Sequence, residues 1–121
     1  MYNKINNKVI FTEVLRGIIL LLLFSVIMSA FSGIIFSLKT SAINWLLMFL
    51  NILILIYIGF NVARKAEHNG WLNGGIAGLL YMIILVIIGF NIIPISLIDI
   101  IILEIEGLVI GSIGGIFGVN F

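Results

Sequence analysis

Three long stretches of the chain carry no charge. They are the 22 residues between Arg16 and Lys39, the 24 between Lys39 and Arg64, and the 30 between His68 and Asp99. A helix crosses about 30 Å of hydrocarbon with roughly 20 residues at 1.5 Å each. Each stretch is long enough for one crossing. The first predicted span is 17–38. Before it, Tyr2, Ile5, Val9 and Ile10 alternate with Lys4, Lys8, Glu13 and Arg16, the pattern of a short interfacial lead-in. The second span is 43–63, with Trp45 near its start, where an interfacial aromatic belongs. Residues 61–70, with Arg64, Lys65, Glu67 and His68, form a tight polar turn. The third span, 71–90, opens on Trp71 and is broken by Asn91 and Pro94. The fourth, 97–119, holds Asp99, Glu104 and Glu106 in its first half. Connections this short make neighbouring helices antiparallel. The pattern predicts an all-α membrane protein of four transmembrane helices in an antiparallel bundle with short loops, a single integral membrane domain over 1–121.

Ala30-Phe31-Ser32 has the small-x-small form of a signal-peptide cleavage site. The apolar run continues past it through Ile34, Ile35, Phe36 and Leu38, longer than a signal core, so a span is the expectation. Composition agrees: 63% of residues are hydrophobic and 9% charged, against about 45–50% and about 25% in soluble domains. The lipid bilayer is the expected environment. A formal net charge of +1 argues against a nucleic-acid surface. With no cysteine, no disulfide framework, thiolate metal site or lipoprotein anchor is expected.

The cations set an orientation. If the N-terminus faces the cytoplasm, the inner segments hold Lys4, Lys8, Arg16, Arg64 and Lys65, and the outer ones only Lys39. The positive-inside rule then predicts cytoplasmic N- and C-termini in a cell membrane. Ile58-Gly59-Phe60-Asn61 recurs as Ile88-Gly89-Phe90-Asn91. Chance in an Ile- and Leu-rich chain and a relic of an inverted repeat are the two readings of this echo.

Small residues are spaced for helix packing. Gly107, Gly111 and Gly115 recur every fourth residue, joined by Gly114 and Gly118; at 100° per residue all five fall within about 100° of arc. Gly70, Gly74 and Gly78 form a second ladder. Ser25, Ser29, Gly33 and Ser37 form a third. In lipid, association relies on close backbone approach, which small residues permit. Interior glycine costs about 1 kcal/mol relative to alanine in a helix, so five in one helix imply compensating contacts within the bundle or between protomers. A glycine-lined conduit is the alternative. The apolar context does not suit a phosphate cradle.

Asp99, Glu104 and Glu106 are costly in a span. The twelve Ile, Leu, Val and Phe residues between Ile98 and Phe117 contribute about −5 kcal/mol on an insertion scale, and two ionised carboxylates near the centre would cancel most of that. Asp99 lies at the outer end. Glu104 shares the face of the glycines and points into the packed interface. It reads either as a tolerated carboxyl near hydrated first turns, with Lys39 at the same surface, or as a buried carboxyl on an ion or proton path. Asn51, inside span two, is a candidate hydrogen-bond partner or inter-helix glue.

Catalytic chemistry is sparse, and no enzyme is expected. The single histidine, His68, lies in the inner turn. Ala30-Phe31-Ser32-Gly33 looks like an intramembrane serine-protease site, but Ser32 lies towards the other surface, beyond hydrogen-bond reach of His68. There is no Walker loop and no metal-spaced His/carboxylate cluster, so no metal or other cofactor is expected. Arg64 and Lys65 are fewer than the four to eight cations of a typical lipid-binding cluster.

Residues 59–74 read Gly-Phe-Asn-Val-Ala-Arg-Lys-Ala-Glu-His-Asn-Gly-Trp-Leu-Asn-Gly, and 114–120 read Gly-Gly-Ile-Phe-Gly-Val-Asn. With the order of spans, these resemble small four-span membrane proteins of Gram-positive bacteria, the Bacillus YrzE-like family, a domain of unknown function. The acidic first half of span four is not part of that likeness. The resemblance implies a cytoplasmic-membrane location without established activity. Its gene neighbourhood, near accessory subunits of the Sec translocase, points towards membrane-protein biogenesis. The expected function is a structural or accessory protein that packs against itself or within a larger membrane complex. A small oligomeric transporter or channel using Glu104 is the alternative.

Overall fold

A computed structural model describes residues 5–35, 40–66 and 68–121. Lys4, Ser37, Lys39 and Glu67 lie outside the described residues. Among the described residues helix is the only regular structure: α1 (Asn7–Ala30), α2 (Ser32–Ile35), α3 (Thr40–Ala66), α4 (Gly70–Phe90) and α5 (Leu97–Asn120). The four long helices are each long and apolar enough to cross a membrane: three match the uncharged stretches, and the fourth is the span that carries Asp99, Glu104 and Glu106.

Helix ends follow local chemistry. The lead-in is continuous with the first span: Asn6 caps α1 by accepting from the Val9 N–H at 3.4 Å, and the helix runs unbroken past Arg16. It stops at Ala30, ahead of the expected limit, with a turn at Phe31 before the four-residue α2. Arg64 and Lys65 occupy the last turn of α3, where cations favour the helix dipole. Asn69 sits in the left-handed region (φ 49°, ψ 49°), which asparagine tolerates, and turns the chain into α4. Ser96 caps α5: its hydroxyl accepts from the Asp99 N–H at 3.2 Å and donates to Asp99 Oδ2 at 2.6 Å. Asp99 thus pairs with its own N-cap side chain and stands in the first turn of α5, where the helix dipole favours a carboxylate, which explains an acidic residue at this end of a span.

The α4–α5 interface is the most extensive, α3 packs on both, and α1 rests on α3 and α4. Contacts give the directions. Gly70 lies against Gly115, Gly74 against Gly111 and Gly78 against Gly107, so α4 and α5 are antiparallel. Ile56 meets Gly114 and Phe60 meets Gly118, so α3 and α5 run parallel. Glu13 pairs with Lys65, and Gly17 lies against Ile58, making α1 antiparallel to α3. Asn6 and Val119 both lie at the end of the bundle that carries the α3–α4 turn.

Burial is concentrated at that end. Val14, Leu55, Ile58, Val62, Ala77 and Tyr81 are fully buried. Towards the other end Trp45, Leu46, Leu47, Met48 and Phe49 are all exposed. Five consecutive helical residues sweep more than a full turn, so this part of α3 is apolar on every side.

Candidate functional site

The glycine ladders form a seam of backbone against backbone. A Cβ on Gly74 would stand 2.5 Å from the Gly111 carbonyl oxygen and 2.9 Å from the Gly115 Cα. A Cβ on Gly107 would stand 2.7 Å from the Gly78 carbonyl oxygen, and Gly78, Gly111 and Gly115 meet carbonyls in the same way. Gly114 and Gly118 turn instead to α3, against the carbonyls of Ile56 and Phe60. The α5 glycines therefore serve two neighbours, and Gly59 on α3 answers Gly111. The described residues of the third ladder meet no other helix of the chain. Ser25 and Ser29 are exposed, and nothing lies within 4 Å of where a Gly33 Cβ would be. The physical reason is that this face of α1 points away from the other helices of the chain.

A small polar set crosses the interior. The Tyr81 hydroxyl donates to Asn51 Oδ1 at 3.1 Å, and Asn51 Nδ2 lies 3.9 Å from the Met82 sulfur. Asn51 is thus inter-helix glue between α3 and α4. Glu104 is half-buried, and its Oε2 is enclosed with no hydrogen-bond partner among the described residues. The α4–α5 register pairs 70 with 115, 74 with 111 and 78 with 107, which sets Glu104 level with Tyr81. No hydrogen bond joins Glu104 to Asn51 among those of the described residues.

The most deeply buried charge lies elsewhere. Glu13 is completely buried, and its Oε1 accepts from Arg16 at 2.7 Å and from Lys65 at 2.5 Å. At the same end of the bundle, fully buried Asn73 ties three segments together. Its Oδ1 accepts from the Asn6 N–H at 3.1 Å, and its Nδ2 donates to the carbonyls of His68 at 3.0 Å and Asn69 at 3.2 Å. A buried carboxylate needs counter-charge and buried amide groups need partners; both polar atoms of the Asn73 side chain have them, whereas Glu13 Oε2 is enclosed with no hydrogen-bond partner among the described residues. The described topology cations Lys8, Arg16, Arg64 and Lys65 belong to this end, with Lys8 and Arg64 exposed and Arg64 5.6 Å over the Phe60 ring. His68 lies in the turn at this end. Ser32 follows the far end of α1, about 36 Å of helix away for 24 residues, so the two are not brought together. No group of three His, Cys, Asp or Glu side chains among the described residues could hold a metal.

A family model described as a protein of unknown function, DUF3792, matches residues 6–118. The chain belongs to that family. Neither the curated proteins nor the solved structures contain a match. With its four apolar helices, this DUF3792 chain is a multi-pass membrane protein in contact with lipid. The DUF3792 match takes in all the ladders, Glu104, and the Glu13 cluster.

Sequence reasoning missed three residues of this DUF3792 bundle: Glu13, Asn73 and Tyr81. Glu13 precedes Arg16 by three residues, a spacing that places both on one helical face; that was its only local signal. Asn73 stands inside the Gly70–Gly74 stretch of the ladder, but its burial comes from the start of α1 and the α3–α4 turn, which no local spacing announces. Tyr81 had no signal beyond being a polar tip in an apolar span.

Proposed function

We propose that this protein is a structural or accessory component of a cell membrane, without catalysis of its own, packing against a second copy or within a larger membrane complex. The observation that carries this reading is the glycine seam. Where a carbonyl of one helix meets the glycine of the next, there is no room for a methyl group, still less for a permeating ion. Such a seam favours a rigid unit. The all-round apolar part of α3 at Trp45, Met48 and Phe49 supplies surface on which a protein partner can pack. The gathering of Lys8, Arg16, Arg64 and Lys65 at the end that carries Asn6 and Val119 supports cytoplasmic termini by the positive-inside rule. A helper role in membrane-protein biogenesis rests on the resemblance alone.

A transporter that uses Glu104 is the second reading, favoured by the enclosed, unpartnered Oε2. Glu104→Gln separates the two. On the structural reading the variant assembles at least as well as the parent, and vesicles containing either protein show no proton or cation flux. A pH- or cation-dependent flux that disappears in Glu104→Gln would sink the structural reading. Crosslinking in native membranes, followed by purification, then identifies what the apolar surface meets.

A further inference from the structure

We infer that the groove between α1 and α3 binds an anionic phospholipid, with its phosphate on Arg16 and Lys65 and an acyl chain along the apolar cleft beyond them. The cleft has a volume of about 380 Å³ and is lined by Leu20, Phe24, Leu50, Leu53, Ile54 and Tyr57, within the size range of small-ligand pockets. It lies between the same two helices that the Glu13 cluster joins. At 100° per residue, Arg16, Leu20 and Phe24 fall within about 80° of arc on α1, and so do Lys65, Tyr57, Ile54 and Leu50 on α3. Each wall of the cleft therefore continues into a cation at the same end.

Charge identifies the occupant. Arg16 and Lys65 both spend one contact on Glu13 Oε1, so two positive charges face one negative. A phosphodiester carries the single negative charge that neutralises the set. The cations retain donors for it, because an arginine has five and a lysine three and their side chains are 52% and 44% exposed. Glu13 holds the two at a fixed separation across the helix pair, which spares the bound headgroup part of the cost of ordering them. Charge-assisted bonds to phosphate are stronger than neutral ones. A zwitterionic lipid adds its own cation to a site that already has one positive charge in excess.

The full-length protein, purified in detergent, is titrated with phosphatidylglycerol or phosphatidylcholine, reading melting temperature and lipid adducts by native mass spectrometry. Saturable stabilisation and retained adducts are expected for phosphatidylglycerol, at least tenfold tighter than for phosphatidylcholine. Inorganic phosphate at matched ionic strength should have no effect. Lys65→Gln leaves the Arg16–Glu13 pair in place and should weaken retention about tenfold. Leu20→Trp fills the cleft without touching the cations and should do the same, so the test stands even if one variant folds poorly. Equal retention of the two lipids, an effect of inorganic phosphate matching the lipid's, or unchanged retention in a folded Lys65→Gln or Leu20→Trp protein would overturn the assignment.

Discussion

Replacing Gly74 with alanine adds one methyl group to the centre of the α4–α5 seam. Its Cβ would stand 2.5 Å from the Gly111 carbonyl oxygen, where ordinary contact begins at 3.4 Å. The obstacle is backbone and cannot rotate aside, so the helices must part locally by about 0.9 Å (3.4 − 2.5). A gap of 0.5–1 Å forfeits about a quarter to a half of the dispersion attraction of each atom pair that opens. The Gly70–Gly115 and Gly78–Gly107 contacts lie one turn to either side and loosen with it. Overpacking of this kind costs about 1–3 kcal/mol. The better helix propensity of alanine returns about 1 kcal/mol at most, which leaves a net loss of up to about 2 kcal/mol even when that gain is complete. Gly89→Ala is the internal comparison. The nearest atom to its Cβ is Ile95 Cδ1 at 3.4 Å, so only the propensity gain of up to about 1 kcal/mol remains. Unfolding in mixed micelles by titration with sodium dodecyl sulfate, followed by helical circular dichroism, measures both. Opposite signs are expected. Equal stability of the two variants would refute the close-packed seam.

Asn73→Ala removes the partner of the Asn6 N–H and of two turn carbonyls, and should cost about 1–3 kcal/mol, with faster hydrogen exchange at Asn6 and in the α3–α4 turn; exchange unchanged there would show that Asn73 does not clamp α1. Tyr81→Phe deletes one interhelical hydrogen bond and should lower stability by about 0.5–1.5 kcal/mol, an effect that Asn51→Ala should largely absorb in a double-mutant cycle; additive losses would mean that the pair is not formed. Cysteines introduced at His68 and Asn120 should be shielded from an impermeant outside reagent in intact cells, whereas one at Ile92 should be labelled; labelling at His68 would reverse the orientation.

How much was legible in the sequence follows from the nature of each signal. Three crossings and their turns were legible in the spacing of charges, because a bilayer penalises every ionised group in an apolar run regardless of what it packs against; the fourth was legible from its apolar residues and glycines in spite of Asp99, Glu104 and Glu106. The glycine ladders of α4 and α5 were legible for a related reason: small residues at every fourth position share one face whatever the neighbour is. Ser25, Ser29 and Gly33 share a face by the same rule, but within one chain no other helix covers it, since a face becomes an interface only if another helix meets it. Glu13 shows the converse. Its burial depends on Lys65, 52 residues away, and nothing in the local sequence sets that distance. Asn73 likewise became a hub only when the first turn of α1 came to lie against α4. Asp99 read as an acidic intrusion into a span until Ser96 supplied its capping partner. Local periodicity determined which residues share a face. Which faces touch, and which carboxylate is enclosed, was decided by the crossing of helices far apart in the chain, where contact depends on three-dimensional approach rather than on spacing.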